Sequence, residues 1–207
     1  MRVCCLGSGP SLTPEMVDAC RPYFTIAINN TVDLAPWAQV CFAGDYQWWC
    51  QRDGLAWFQG QKVGMKPWGV LYPDVERWTP GPRGGLDFRP HTLRVGSNSG
   101  FSAINYAVRR NATEIVLLGY DMQPQDGRHH FHNPHPGDRH PNYARCLPVF
   151  ETLIDPLRER GIAVLQCSPH SALTCFPFAP WREVLCDPIG RHSALLSNAR
   201  SESLAHS

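Results

Sequence analysis

Apolar residues along the chain gather into short runs, and polar or small residues break them at regular places. Arg2–Leu6, Phe24–Ile28, 39–42, Glu114–Leu118 and 162–167 each read as a buried strand of four to six residues. Helical signals fall between them. Thr13-Pro14-Glu15 supplies an N-cap, a proline at the first helical position and an early acid. Ser97-Asn98-Ser99-Gly100 leads into a helix through about residue 110, and 143–160 reads as the longest helix, stopped by Gly161. Strand–helix–strand order predicts an α/β fold with a Rossmann-like parallel, or mostly parallel, sheet covered by helices on both faces.

The middle, 46–93, breaks this rhythm. It holds Trp48, Trp49, Trp57, Trp68 and Trp78 and the run Thr79-Pro80-Gly81-Pro82-Arg83-Gly84-Gly85. The pattern predicts one or two short elements and a long lid-like loop. The tryptophans suit either stacking on a sugar or base, or packing in core and lid. A polar loop spans 122–141. The last stretch, 190–207, is Ser/Ala/His-rich and aperiodic, which predicts a flexible tail behind a single domain over 1–189. No internal repeat is present.

Composition narrows the class. The chain has 207 residues, 43% hydrophobic and 18% charged, which suits one domain with a proper core. No apolar run approaches the roughly 20 residues of a membrane span. The first residues, Met1-Arg2-Val3-Cys4-Cys5-Leu6-Gly7, run straight into a glycine loop, so they read as a strand and not as a signal peptide. The expected compartment is the cytoplasm. Nine cysteines lie scattered without a Cys-x-x-Cys pair, which predicts small core residues and no disulfide framework. A net charge of +1, with only two lysines among 19 basic residues, gives weak support to a nucleic-acid partner.

Candidate chemistry sits in the loops that leave strand ends: 7–11, Asn29-Asn30, Gly44-Asp45 and 119–121. Gly7-Ser8-Gly9-Pro10-Ser11-Leu12 stands where a phosphate loop stands, directly after the first strand. Leu12 replaces the third glycine of the dinucleotide fingerprint, and no Gly-Lys-Ser/Thr follows, so neither an NAD enzyme nor a P-loop ATPase fits. A plain tight turn is the alternative. Gly127-Arg128-His129-His130-Phe131-His132-Asn133-Pro134-His135 packs four of the nine histidines into one loop. Three uses stand open for it: a general base, a metal site that includes His130, His132 and His135, or a polar flap. No Asp-x-Asp motif occurs, so a metal such as Mg²⁺ is not required, and it would fall to Asp45 or Asp121.

Taken in order, Gly7-Ser8-Gly9-Pro10-Ser11-Leu12, Asn29, Ser99-Gly100, Leu117-Leu118-Gly119-Tyr120-Asp121 and Cys167-Ser168-Pro169-His170-Ser171 resemble the small bacterial sialyltransferases that use CMP-sialic acid. They are also similar to the related motility-associated glycosyltransferases, archaeal pterin diphosphokinase-like proteins and phage-borne members. The resemblance runs from Met1 to about Phe176, leaving the middle third unmatched, and Ser8 stands where the sialyltransferase loop has Asn. It implies that Gly7, Ser8, Gly9, Pro10, Ser11, Asn29, Ser99 and Gly100 hold the nucleotide, that Arg94 meets the departing phosphate, and that His132 or His135 is the base. The function so implied is transfer of a sugar-like group from a CMP- or UDP-linked donor to a glycan or other hydroxyl acceptor. Pyrophosphoryl transfer from ATP with Mg²⁺ and nucleotide binding without turnover are the alternatives. A phage setting, within the host cytoplasm, would add modified DNA as an acceptor.

Overall fold

The structure is a computed structural model and describes residues 1–66, 72–132 and 141–186. The expected tail, together with Trp68, His135 and His140, lies outside these residues. Eight strands form one sheet in the order β6-β5-β4-β3-β2-β1-β7-β8, and every neighbouring pair is parallel. The strands are β1 (Arg2–Leu6), β2 (Phe24–Ile28), β3 (Val40–Ala43), β4 (Gln61–Met65), β5 (Val75–Arg83), β6 (Thr92–Val95), β7 (Glu114–Leu118) and β8 (Ala163–Gln166). The α/β parallel-sheet expectation holds.

Continuous apolar runs mark strands covered on both faces, and alternate residues here feed two separate cores. Val3, Cys5, Ile26, Phe42 and Leu117 point to one side. There they meet α3 (Ser99–Arg109), α4 (Tyr143–Glu151) and α5 (Ile154–Arg158) through Phe101, Ile104, Phe150 and Leu157. Cys4, Leu6, Ala27, Cys41 and Leu118 point to the other side. They pack against α1 (Pro14–Asp18), α2 (Tyr46–Gln51) and α6 (Trp181–Leu185) through Met16, Trp48, Trp49 and Val184. All nine cysteines are unpaired thiols, most of them in these cores. Burial pushes the Cys5 and Cys167 thiols up to about 12.

Two expectations need correction. The segment 46–93 is not mainly a lid, because it supplies α2 and the strands β4, β5 and β6. Their patterns hide them. β4 buries Lys62, whose Nζ reaches Asp74 at 2.6 Å, and β5 carries Pro80 and Pro82. β5 pairs with β4 only through 75–78, so its prolines lie where β6 is the sole neighbour and remove no bond to β4. Trp48, Trp49 and Trp78 are core residues, whereas Trp57 is exposed.

The second correction concerns 143–160, which forms two helices and not one. Pro156 lacks the N–H that would bond to the Thr152 carbonyl, and its ring crowds that carbonyl. The chain breaks at Thr152–Leu153, leaving α3, with 11 residues, as the longest helix among the described residues.

Strand order steps outward from β1 through β2 to β6, then α3 crosses back and the chain resumes at β7 on the other side of β1. The reversal between β1 and β7 opens a crevice at the carboxyl ends of these two strands.

Candidate functional site

A cavity of about 170 Å³ fills that crevice. Its wall includes Gly7, Ser8 and Gly9 after β1, Asn29 after β2, Ser97 to Gly100 at the start of α3, and Gly119 to Met122 after β7. His129, His130, Asn142, Tyr143 and Cys146 close the remaining side. Of the residues picked out in the sequence, the structure therefore brings Gly7, Ser8, Gly9, Asn29, Ser99, Gly100, Asp121 and His130 together.

The glycine loop is used differently from a phosphate cradle. Gly7 N donates to Leu118 O at 2.7 Å, Gly9 N to Gly119 O at 2.8 Å and Ser11 N to Asp121 Oδ1 at 3.3 Å. Leu12 N donates back to Gly9 O at 3.2 Å. These amides stitch the β1 loop to the β7 loop. Among the described residues, only the Ser8 N–H of this loop's amides has no acceptor. The glycines are required by that stitching. A Cβ on Gly9 would lie 1.9 Å from Asp121 Oδ2, and Gly119 has φ +68° with its built Cβ 2.3 Å from Gly7 O. The following helix, α1, is five residues long and offers no axial field of its own at the crevice.

The N-terminus of α3 faces the same cavity. Asn98 caps it, its side chain accepting from Phe101 N at 2.8 Å. The first amides of the helix, those of Ser99 and Gly100, have no intrahelical acceptor and stand at the cavity wall. Ser99 Oγ accepts from Gly44 N at 3.0 Å, which ties the β3 loop to this helix start. Tyr120 OH donates to Gly100 O at 3.2 Å from the β7 side. An Asn before Ser99-Gly100 is an N-cap signal, and it was readable from the sequence.

Asp121 is 1% exposed and hydrogen-bonded by Ser11 Oγ at 2.9 Å and by Gln125. No lysine or arginine pairs with it among the described residues. Burial raises its carboxyl above the ordinary range, although the hydrogen bonds from Ser11 and Gln125 pull the other way. Across the cavity, the Tyr143 ring stacks on His129 with centroids 5.7 Å apart. Burial, then the charge of Asp121, lifts the Tyr143 hydroxyl to about 12. Asn29 sits at φ +53° with its Oδ1 buried and unpartnered among the described residues. Among the described residues, the cavity wall holds no lysine or arginine.

Other expected site residues fall elsewhere. Arg94 pairs with Asp87, Nε to Oδ2 at 3.2 Å, and does not line the cavity. Asp45 caps α2 by accepting from Gln47 N at 2.8 Å. Pro10 and Ser11 lie behind the wall, Ser11 being held by Asp121. His132 stands beside the cavity and not in it. Its Nε2 is 3.0 Å from Asn30 Nδ2, and its ring lies flat on His130 with centroids 5.1 Å apart and planes 3° apart. Asp45, Asp121 and His130 do not join a group of three metal-ligating side chains among the described residues. Among those residues too, no helix is long and apolar enough to cross a membrane. No family model, curated protein or solved structure matches this chain.

Proposed function

We propose that the chain is a transferase that moves a sugar-like group from a nucleotide-linked donor, CMP- or UDP-type, to an acceptor hydroxyl. The observation that carries this reading is the N-terminus of α3 opening onto the crevice between β1 and β7, in a cavity that also holds a buried carboxyl and an imidazole. The donor phosphate binds the Ser99 and Gly100 amides, with the Ser8 N–H beside it. His130 withdraws the acceptor proton as the acceptor oxygen bonds to the donor carbon. The carbon–oxygen bond to phosphate breaks, its electron pair leaves with the nucleotide, and the helix amides meet the charge that develops there. Asp121 holds the two loops in register and keeps the cavity polar.

Asp121 also supports a second reading, pyrophosphoryl transfer from ATP. A Mg²⁺ ion held between protein and phosphates would there have Asp121 at the cavity wall as its protein ligand.

A thermal-shift panel of CMP, CDP, UDP, GDP, ADP and ATP, each with and without Mg²⁺, separates the two. A ligand at 100 times its Kd adds about 2.7 kcal/mol, or several degrees for a domain of this size. The expected result is a metal-independent shift with a cytidine or uridine nucleotide. A shift confined to ATP with Mg²⁺ would transfer the assignment to pyrophosphoryl transfer, and silence across the panel would remove the nucleotide altogether.

A further inference from the structure

Of the two imidazoles at the cavity wall, that of His130 is backed by a chain of contacts running to the opposite core. Trp48, on α2, is 8% exposed, and its Nε1–H donates to Asn30 Oδ1 at 2.8 Å. An indole N–H only donates, so this bond fixes which end of the Asn30 amide is oxygen. The amide nitrogen then faces His132 Nε2 at 3.0 Å. Since Nδ2 carries only donors, His132 Nε2 must present a lone pair, and the ring proton resides on Nδ1. A proton on Nε2 would set donor against donor at a buried amide. The same geometry therefore selects one tautomer.

His132 in turn supports the ring of His130. The two rings are parallel within 3° at 5.1 Å between centroids, and the Phe131 ring stands edge-on to His132 at 5.1 Å. Phe131 N donates to Ser8 O at 3.0 Å, anchoring this part of the loop to the glycine turn. On the Trp48 side, Arg52 stands 5.9 Å over the indole ring and pairs with Asp33.

We propose that Trp48, Asn30 and His132 form a tautomer lock that holds the His132 ring proton on Nδ1 and fixes the ring on which His130, at the cavity wall, is stacked. His132 is a positioning residue here. The expected effect on turnover rests on the transferase reading, but the lock does not.

Nitrogen-15 NMR of the histidine rings in the nucleotide-free protein at neutral pH tests it. His132 should show an unprotonated Nε2 and a protonated Nδ1. Asn30→Asp, which offers an acceptor in place of the amide, should move the proton to Nε2. Trp48→Phe keeps the ring but frees the amide to turn, and should give a mixture of the two tautomers. With a CMP-linked donor, Asn30→Asp should lower turnover by about 10- to 100-fold and leave KM unchanged. A wild-type His132 that averages between tautomers, or one unaltered in both variants, would overturn the lock. A locked His132 in a protein that binds no nucleotide would support the lock and count against the transferase reading alone.

Discussion

At the scale of single residues, the site depends on groups that hold one another in place before any ligand arrives. Asp121 is the clearest case. Its carboxyl sits in a space that exists only because Gly9 has no Cβ, and it bonds Ser11 and Gln125 from there. Because burial raises its pKa in the folded chain, the protonated form is the one that folding favours. That contribution is complete below the ordinary carboxylate range and is lost as pH rises through the raised folded value. Stability of the wild type relative to Asp121→Asn should therefore fall as pH rises from the ordinary carboxylate range upward, measured by thermal or urea unfolding at stepped pH. Arg94 gives the contrary case. It was legible as a basic residue before Ser99-Gly100, yet its partner Asp87 is invisible in a one-dimensional reading. The Arg89 hydrogen bond, with Arg94 also nearby, holds the Asp87 carboxyl down to about 2 against its burial. Arg94→Ala should leave nucleotide affinity unchanged by calorimetry, since the residue braces the end of the sheet and not the cleft.

At the scale of elements, the helix start at Ser99 matters more than the glycine loop after β1. Replacing Asn98 by Ala removes the side chain that accepts from Phe101 N, and should cost about 0.5–2 kcal/mol in urea unfolding. It should also weaken nucleotide binding, because a frayed first turn no longer presents the Ser99 and Gly100 amides together. The strands β1, β2 and β7 were readable because each is apolar on both faces, a property of central parallel strands. β4 to β6 were not, because Lys62, Gly64, Pro80 and Pro82 interrupt them and tertiary pairing supplies what local pattern lacks. The histidine loop was legible as chemistry but not as geometry. The loop's His132 is held by Asn30, 102 positions away in sequence, and Asn30 in turn by Trp48.

At the scale of the molecule, one reversal of strand order places the site. Eight parallel strands put all their carboxyl ends on one edge, and the jump from β6 through α3 to β7 opens that edge beside β1. Sequence order alone predicted the sheet and the loops at its edge. It could not show that the β1 and β7 loops are bonded to each other, because that depends on two segments about 110 residues apart. The result is a floor of bonded loops with a helix N-terminus at its edge, where the proposed transferase would hold its nucleotide phosphate. The most direct test is a titration of ¹⁵N-labelled protein with CMP and with UDP, followed by amide NMR. The Ser99 and Gly100 amides should move most, with Ser8 alongside them and the Lys62 region still. Saturable shifts that leave Ser99 and Gly100 unmoved, or no shifts with either nucleotide, would contradict the account.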